Sequence, residues 1–596
     1  MAAQRKTHRE ILDGLWHPFT REEIERYAAK GFFHNITVCD CLDRNADLRP
    51  DRLAVAGENK GLAWRELREK TNRVAIHLLK MGIGNGDFFV LQLPNVVEFL
   101  VLYFALNRIG AIPVMCLPRH RRMEIDHELR VHQAKGICVP VGEKFDYVAM
   151  IEELRPRHEQ LEVLLTIGGE GPRGWKAVEE LLQEPAEKDY PKNYLYRFRP
   201  DPNDICIEQL SGGSTGVPKG IPRTHNDYIC GWDFVGRTAG YTDDSVGLVT
   251  IPVAHNASME NICGPVIYRG GSMVLCNSPR PENSFQMIEK YKVTHTLIVP
   301  VLVLYWKDAF DIARKYDLSS FRVLASGGQK SRPEVVEWCI DTFGVNFVNT
   351  FGMAEGPQIT TRWDSPKDVQ MYTVGRPIIE DPEVEVKLVD DQNREVKRGE
   401  VGELVVRGPL NFRGYFKAEE ENRLAFDRDG FFHTGDLMSL REDGCYVVEG
   451  RKKDTILRGG ENVYPERVED QLKSHPKVAY CAAVGMPDMV LGEKMCAVVQ
   501  PVKGKEVDFQ EIVYYLKDKG MAVFQLPERI EIVSGWPLTP VNKIDKRRLR
   551  AYVTTKLYQE KVIDKDIGDE YLKKDKVTID DVLSGRIKID FTGKPA

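Results

Sequence analysis

From about residue 50 to 350, short apolar runs alternate with segments of helical length. The run at 88–93 precedes a helical stretch at 96–108, and further runs lie at 205–209, 246–253, 293–303 and 322–325, each near a Gly, Pro or Asn. Continuous apolar runs of strand length separated by helix-length segments predict parallel strands buried on both faces and joined by crossover helices. From about 383 the rhythm changes, and the stretches 383–389, 402–407 and 444–448, joined by tight turns, predict a small antiparallel unit. Beyond 451 a helix at 465–474, strands at 478–484 and 495–499 and a helix at 509–519 predict a second compact segment. The expected fold class is α/β: a large N-terminal domain of layered, mostly parallel sheets with helices plus a small antiparallel unit, and a smaller C-terminal α/β domain. The expected divisions are 1–452, 453–555 and a charged extension, 556–596, lying on the surface or partly disordered.

Length and charge narrow the function. At 596 residues the chain is too long for one small fold, and 83 Lys+Arg against 89 Asp+Glu leave a net charge of -6. No long single-sign block suggests a nucleic-acid footprint or a polybasic membrane patch, so a small-molecule substrate is expected. The 12 cysteines are scattered, with Cys39 and Cys41 the nearest pair, so neither a C-x-x-C redox site nor a zinc ribbon can be drawn. Core thiols in a reducing compartment are expected. Residues 1–22 carry mixed charges and no apolar core of a signal peptide. The most apolar stretch, 99–106, lies between Glu98 and Arg108, far short of the ~20 residues a bilayer needs. A cytoplasmic location is expected.

One run carries candidate chemistry. Ser211-Gly212-Gly213-Ser214-Thr215-Gly216-Val217-Pro218-Lys219-Gly220 follows the strand expected at 205–209. Glycines let backbone N–H groups turn inward, Ser and Thr hydroxyls add donors, and a lysine adds charge, which together suit a polyphosphate. It is not a Walker A loop, because Pro218 stands before Lys219 where that motif needs Gly. Taken alone, the run is equally an ordinary Gly/Ser turn.

Further motifs follow in order: Phe351-Gly352-Met353-Ala354-Glu355, Gly402-Glu403-Leu404 through Arg407-Gly408, and Thr434-Gly435-Asp436. Gly450-Arg451-Lys452-Lys453-Asp454 then leads to Gly459-Gly460-Glu461-Asn462, and Pro537-Leu538-Thr539 to Asn542-Lys543. With the glycine-rich loop these six ordered signatures, spread over roughly residues 30 to 555, resemble the adenylate-forming superfamily of acyl-CoA synthetases, peptide-synthetase adenylation domains and luciferases. Pro222-Arg223-Thr224-His225-Asn226 and Ala254-His255-Asn256 most resemble its aryl-acid activating branch, the 2,3-dihydroxybenzoate–AMP ligases.

The resemblance implies an ATP- and Mg2+-dependent ligase that makes an acyl-AMP and then a thioester, as in siderophore or other secondary-metabolite biosynthesis. The acceptor is a carrier-protein phosphopantetheine or, alternatively, free coenzyme A; no carrier is fused here, because Leu583-Ser584-Gly585 lacks the attachment pattern. Lys543 matches the lysine that bridges carboxylate and α-phosphate, a compact charge on a flexible stem. Asp436, with Arg451, matches the ribose contact and Glu355 the magnesium contact. Ser211, Gly212, Gly213, Ser214, Thr215, Gly216 and Lys219 form the phosphate loop. Gly327, Gly328, Gln329, Asn349, Thr350, Phe351 and Gly352 correspond to the adenine pocket. Lys453 falls at the hinge about which the small domain is expected to rotate, presenting Gly459-Gly460 to the thiol.

Amino-acid activating relatives place an aspartate where this chain has Asn256, so the acid is expected to lack an α-amino group. His255, expected beside it at the pyrophosphate side, is the second catalytic candidate; a packed imidazole is the plainer reading. The branch has Ser or Cys where Asn261 stands, and two valines where Thr350 and Gln358 stand. With Gly327 these residues make an expected acid pocket that is polar. Buried amides left unpaired cost about 1 to 3 kcal/mol each, which puts dihydroxybenzoate itself in question and suggests a ring acid with further hydrogen-bonding groups. Luciferase-like oxidation of the adenylate and a silent nucleotide-binding role are the competing readings.

Overall fold

The computed structural model describes residues 6–58, 60–211, 218–278, 280–328, 331–458, 461–539 and 543–593. Contacts gather the chain into two compact units, Met1–Val386 with Val406–Phe432, and Lys387–Val405 with His433–Ala596.

The first unit holds two sheets. The seven-stranded sheet runs, edge to edge, Lys176–Ala177, Val163–Ile167, Gly136–Pro140, Phe88–Leu91, Ile112–Met115, Ile205–Leu210 and Gly220–Thr224. All its pairings are parallel except the last. The nine-stranded sheet runs Arg376–Pro377, Gln358–Thr360, Asn346–Gly352, Val323–Gly327, His295–Ile298, Val246–Val249, Ser272–Leu275, Leu53–Ala56 and Gly61–Ala63. Its six central strands are parallel and both edges antiparallel. Fully buried strands such as Phe88–Leu91 and Ser272–Leu275 explain why the runs read as continuously apolar.

Two expected strands are shorter than their apolar runs. The run 293–303 is the strand His295–Ile298 followed by the helix Pro300–Asp308. Pro300, whose ring fixes φ and whose missing N–H costs nothing at a helix start, ends the strand and opens the helix. The run 246–253 pairs only as far as Val249.

Strand Val246–Val249 is flanked by Ser272–Leu275 on one side and His295–Ile298 on the other. The order of strands therefore reverses here, and such a reversal opens a crevice at the carboxyl ends of parallel strands. Residues 250–256, 327–328 and 351–355 leave the sheet at that edge.

In the second unit, Gly492–Pro501 pairs with Val478–Asp488 and Ile456–Arg458 antiparallel and with Arg529–Ile532 parallel. Helices Pro465–Lys473 and Phe509–Asp518 bury Val468, Leu472, Ile512 and Leu516 against it. Most of a four-stranded sheet, ordered Glu385–Val389, Gly402–Arg407, Phe432–Leu440 and Tyr446–Arg451, also belongs to this unit.

The charged C-terminal stretch is folded, contrary to the expectation of a loose extension. Helices Lys565–Leu572 and Ile579–Leu583, with the turn between them, bury Leu572, Val577 and Ile579 against Ala551. Arg550 bridges Asp575 at 2.7 Å and Asp454 at 2.9 Å, and the Trp536 N–H donates to the Gly593 carbonyl at 2.7 Å. A few well-placed apolar residues and buried ion pairs do what the composition does not advertise. All twelve cysteines are buried, and none is in a disulfide. No helix among the described residues is long and apolar enough to cross a membrane.

Candidate functional site

The glycine-rich loop is the tip of the antiparallel pair Ile205–Leu210 and Gly220–Thr224. Its stem is closed twice: the Ser211 N–H donates to the Lys219 carbonyl and the Lys219 N–H to Ser211 Oγ, both at 2.9 Å. Gly212, Gly213, Ser214, Thr215 and Gly216 lie outside the described residues, as do Gln329, Gly459, Gly460 and Asn542. Beneath the stem His132 is enclosed by Glu208 and Glu128, at 3.3 and 3.2 Å. Burial works against its charge, but the two carboxylates outweigh this and hold the imidazole at about 9. Phe416 stacks on its ring 5.2 Å away and donates its N–H to the Gly220 carbonyl.

Beside the loop, Lys219 Nζ sits 4.2 Å from the centroid of the Tyr415 ring. The Tyr415 hydroxyl donates to Glu355 Oε1 at 2.9 Å. Burial and the adjoining carboxylate keep that phenol protonated. The stem of the glycine-rich run, the Lys219 cation and a held carboxylate thus meet on one side of the first unit.

The expected acid pocket lies around the helix His225–Thr238. Asn256 opens the next helix; its Nδ2 donates to Glu260 Oε2 at 2.6 Å, and the Tyr228 hydroxyl donates to its Oδ1 at 2.9 Å. Arg223 pairs with Asp227 at 3.1 Å and approaches Glu260 at 3.9 Å, all three fully enclosed. Burial raises the Asp227 carboxyl to about 7 against the pull of Arg223, and raises Glu260 likewise. Asn261 and Thr350 line a cavity of ≈ 20 Å³, room for about one water, together with Thr238, Tyr241, His295 and Thr360. Burial pulls His295 down to about 4, so it is neutral there.

Other residues are committed to the scaffold. His255 Nδ1 accepts the Ala257 N–H at 3.1 Å, capping the helix that follows. The Asn349 side chain donates to the Gln370 carbonyl at 2.8 Å. Strand alternation puts it on the opposite face from Thr350. Gly327 pairs with Thr350, and a Cβ there would lie 2.5 Å from the Thr350 carbonyl oxygen, so the close strand approach requires glycine. Gly328 follows at the strand's end with φ of +81°, and Phe351 and Gly352 end the adjacent strand.

In the second unit Asp436 and Arg451 face each other across paired strands, Oδ1 to Nε 2.9 Å. Asp436 is 4% exposed, and its turn is set by the Thr434 hydroxyl, which accepts the Asp436 N–H, and by Glu403, which accepts the Gly435 N–H. Glu403 in turn pairs with Lys452 at 3.0 Å. Lys453 lies exposed in the turn Lys452–Asp454. Lys543 is half-buried, its backbone tied to Thr539 by bonds of 2.8 and 3.2 Å. Desolvation and the Arg451 cation pull its amine down to about 8, with Asp436 opposing. Lys543, Arg451 and Asp436, distant in sequence, therefore lie within electrostatic reach of one another.

The sequence reading missed Tyr415, Glu260, Tyr228 and Arg223 as parts of these clusters. Glu260 was detectable as a charge four residues after Asn256 in a run otherwise without charge; Tyr415 carried no local signal.

The model for AMP-binding enzymes matches residues 42–416 and that for the AMP-binding enzyme C-terminal domain matches 467–543. The chain is 38% identical over 543 residues to the 2,3-dihydroxybenzoate-AMP ligase of Bacillus subtilis, spanning 91% of this chain and 98% of the relative. It is 38% identical to the salicyl-AMP ligase / salicyl-S-ArCP synthetase of Mycobacterium tuberculosis, over 89% of this chain and 93% of that one. The apo structure of Mycobacterium smegmatis MbtA aligns with a TM-score of 0.68 at 34% identity, over 90% of this chain and 99% of that one. An anthranilate CoA ligase, AuaEII, solved with anthranoyl-AMP, aligns with a TM-score of 0.79 at 25% identity, over 88% and 98%. A family model matching more than half of the chain, and relatives matched over nearly their whole length, place this chain in the AMP-binding enzyme family, nearest in kind to the aryl-acid adenylating ligases.

Proposed function

We propose that this chain joins an aryl or cyclic carboxylic acid to AMP at the expense of ATP and then transfers the acyl group to the phosphopantetheine thiol of a separate carrier protein. In the first step a carboxylate oxygen bonds to the α-phosphorus as the bond to pyrophosphate breaks. In the second the thiol sulfur bonds to the acyl carbon and AMP leaves. Carboxylate and phosphate repel, so the first step needs a cation at their meeting point. Lys543 is that cation, and Asp436 with Arg451 holds the ribose. The observation that carries the reading is the convergence of these three residues.

Ser211 to Lys219 receive the phosphates, and Glu355, held by Tyr415, meets the magnesium that ATP brings. The donor set fits: Mg2+ takes hard oxygens and needs only one or two carboxylates when phosphates and water supply the rest. No cluster of three or more His, Cys, Asp or Glu among the described residues offers a cage of its own. Gly327, Gly328 and the backbone of 349–352 border the adenine, Asn256, Asn261, Thr350 and Gln358 border the acid, and Lys453 is the pivot. His255, which caps the helix through Nδ1, stands beside Asn256 as the second catalytic candidate. The salicyl-S-ArCP synthetase relative supports a carrier as acceptor over coenzyme A.

Acid-dependent exchange of pyrophosphate into ATP across a panel of ring acids, followed by thioester formation with a carrier or with coenzyme A, tests this. Lys543→Ala should abolish exchange while a preformed adenylate is still converted to thioester; loss of both activities contradicts the assignment.

A further inference from the structure

Arg223 pairs with Asp227, but its remaining bonds go to the backbone of two distant segments. Nη1 donates to the Ala354 carbonyl at 2.8 Å and Nη2 to the Leu410 carbonyl at 2.9 Å. Ala354 directly precedes Glu355, the candidate magnesium contact. Arg223 itself lies four residues after Lys219, on the strand Gly220–Thr224 that leaves the glycine-rich run.

The two segments that receive the guanidinium are locked to each other. The Phe412 N–H donates to the Glu355 carbonyl at 2.8 Å. Gly356 has φ of +117°, and a Cβ there would lie 1.8 Å from the Leu410 carbonyl oxygen, the same oxygen that accepts from Arg223. The turn carrying Glu355 therefore rests directly on the backbone at 410–412, and Arg223 joins both to the strand that follows the phosphate loop.

The guanidinium is aimed from its own strand. Nε donates to Asp227 Oδ1 at 3.1 Å, while Asp227 Oδ2 accepts the Thr224 N–H at 3.3 Å, so one carboxylate fixes the arginine and the start of the next helix. The pairing with Ile205–Leu210 slips by one residue between Ile205 and Ile207, opposite Thr224 and Arg223. Such bulges bend a strand and redirect the side chains they face. Glu260 stands 3.9 Å from Nη2, on the π-turn Met259–Cys263 into which the helix begun at Asn256 widens before resuming as Gly264–Arg269. It is itself held by Asn256 at 2.6 Å and by Gln358.

Arg223 is 0% exposed. Burying a cation is costly even when it is paired, and an apolar side chain of similar volume often fills such a space at less cost. What the arginine adds is direction: its planar fork serves a carboxylate and two carbonyls at fixed angles, which the point charge of a lysine does not. Resting on the adenylation reading and on Glu355 as the magnesium contact, we propose that Arg223 is a positioning residue. It holds the Glu355 turn and the strand behind Lys219 at one spacing, so that the two sides of the triphosphate site keep register.

The test follows acid-dependent pyrophosphate exchange against Mg2+, and ATP binding by calorimetric titration with and without Mg2+. The chains compared are the wild type, Arg223→Lys, Asp227→Asn and Glu355→Gln. Arg223→Lys keeps the charge that faces Asp227 and loses the fork. It should raise the Mg2+ concentration for half-maximal exchange roughly tenfold, and shrink by a similar factor the gain in ATP affinity that Mg2+ brings, with acid KM within about twofold. Asp227→Asn, which keeps the shape, should move both readouts the same way by less. Arginine-variant values equal to the wild type in both, or a change confined to acid KM, overturn the proposal. Should Arg223→Lys fail to fold, Asp227→Asn decides alone. Glu355→Gln separates the proposal from the reading beneath it. If that variant leaves both Mg2+ readouts unchanged, Glu355 is not the magnesium contact and the proposal falls with it; if it moves them while the other two do not, the proposal alone falls. If the wild type exchanges no acid, the adenylation reading fails and the ATP titrations decide the role of Arg223.

Discussion

Tyr415 and Glu355 are joined by a hydrogen bond of 2.9 Å, and the same tyrosine ring carries Lys219 on its face. A single aromatic side chain thereby orients both a candidate magnesium contact and the lysine at the end of the phosphate loop. Bonds to a charged acceptor contribute about 1.5 to 3 kcal/mol. Tyr415→Phe, which keeps the ring, should therefore raise the Mg2+ concentration needed for half-maximal exchange by roughly tenfold or more, with a smaller change in acid KM. Initial rates against Mg2+ at fixed ATP check this, and an unchanged Mg2+ dependence would remove Tyr415 from the metal side.

In its proposed place between two anions Lys543 must be protonated, and in the unliganded protein desolvation and Arg451 hold it at about 8. The kcat/KM for adenylation should fall as pH rises through about 8, because that quantity reports the free enzyme. Lys543→Arg, which cannot lose its proton in this range, should lower the rate and flatten the limb. An alkaline limb that persists in the arginine variant would belong to another group.

His132 and Glu208 make stability depend on pH. Both are shifted upward from their ordinary values, so the folded state binds more protons than the unfolded one. The His132 contribution is fully present below about 6.5, the unfolded value for histidine, and is lost as pH rises toward about 9. Melting temperatures of wild type and His132→Gln should differ most near pH 6 and converge by about pH 9.5. A gap constant with pH would show that the ring matters by packing against Phe416 alone.

Ending the chain at residue 564 removes the helices Lys565–Leu572 and Ile579–Leu583, the Arg550–Asp575 pair and the Trp536–Gly593 pairing. Stripping one partner from a buried ion pair costs about 3 to 5 kcal/mol. The truncated chain should melt at lower temperature and be cut by protease first within the second unit. It should also lose exchange activity, since residues 535–536 lead directly into the Lys543 loop. Melting and activity equal to the full chain would make the segment dispensable.

Much of this was legible in the sequence, and the exceptions share a cause. Phe88–Leu91 and Ile205–Leu210 were readable because strands buried on both faces are apolar throughout. Asp436 and Lys543 could be singled out as candidates because their motifs are local. What escaped depends on contacts between distant segments: Tyr415 reaching Glu355, Glu260 reaching Arg223, and Asp575 reaching Arg550. The tail read as a loose, charged extension because composition counts its lysines and aspartates and cannot register that Asp575 pairs with Arg550 or that Leu557, Ile563, Leu572, Val577 and Ile579 are buried.

The extra residue held in the widened turn at Met259–Cys263 has a consequence for how such an enzyme changes its diet. Each residue advances a helix by about 100°, so gaining or losing one codon here would swing Asn261 to a new bearing while the flanking helices stay seated. A lineage could thus acquire a different acid through a single small insertion or deletion, without first weakening its core.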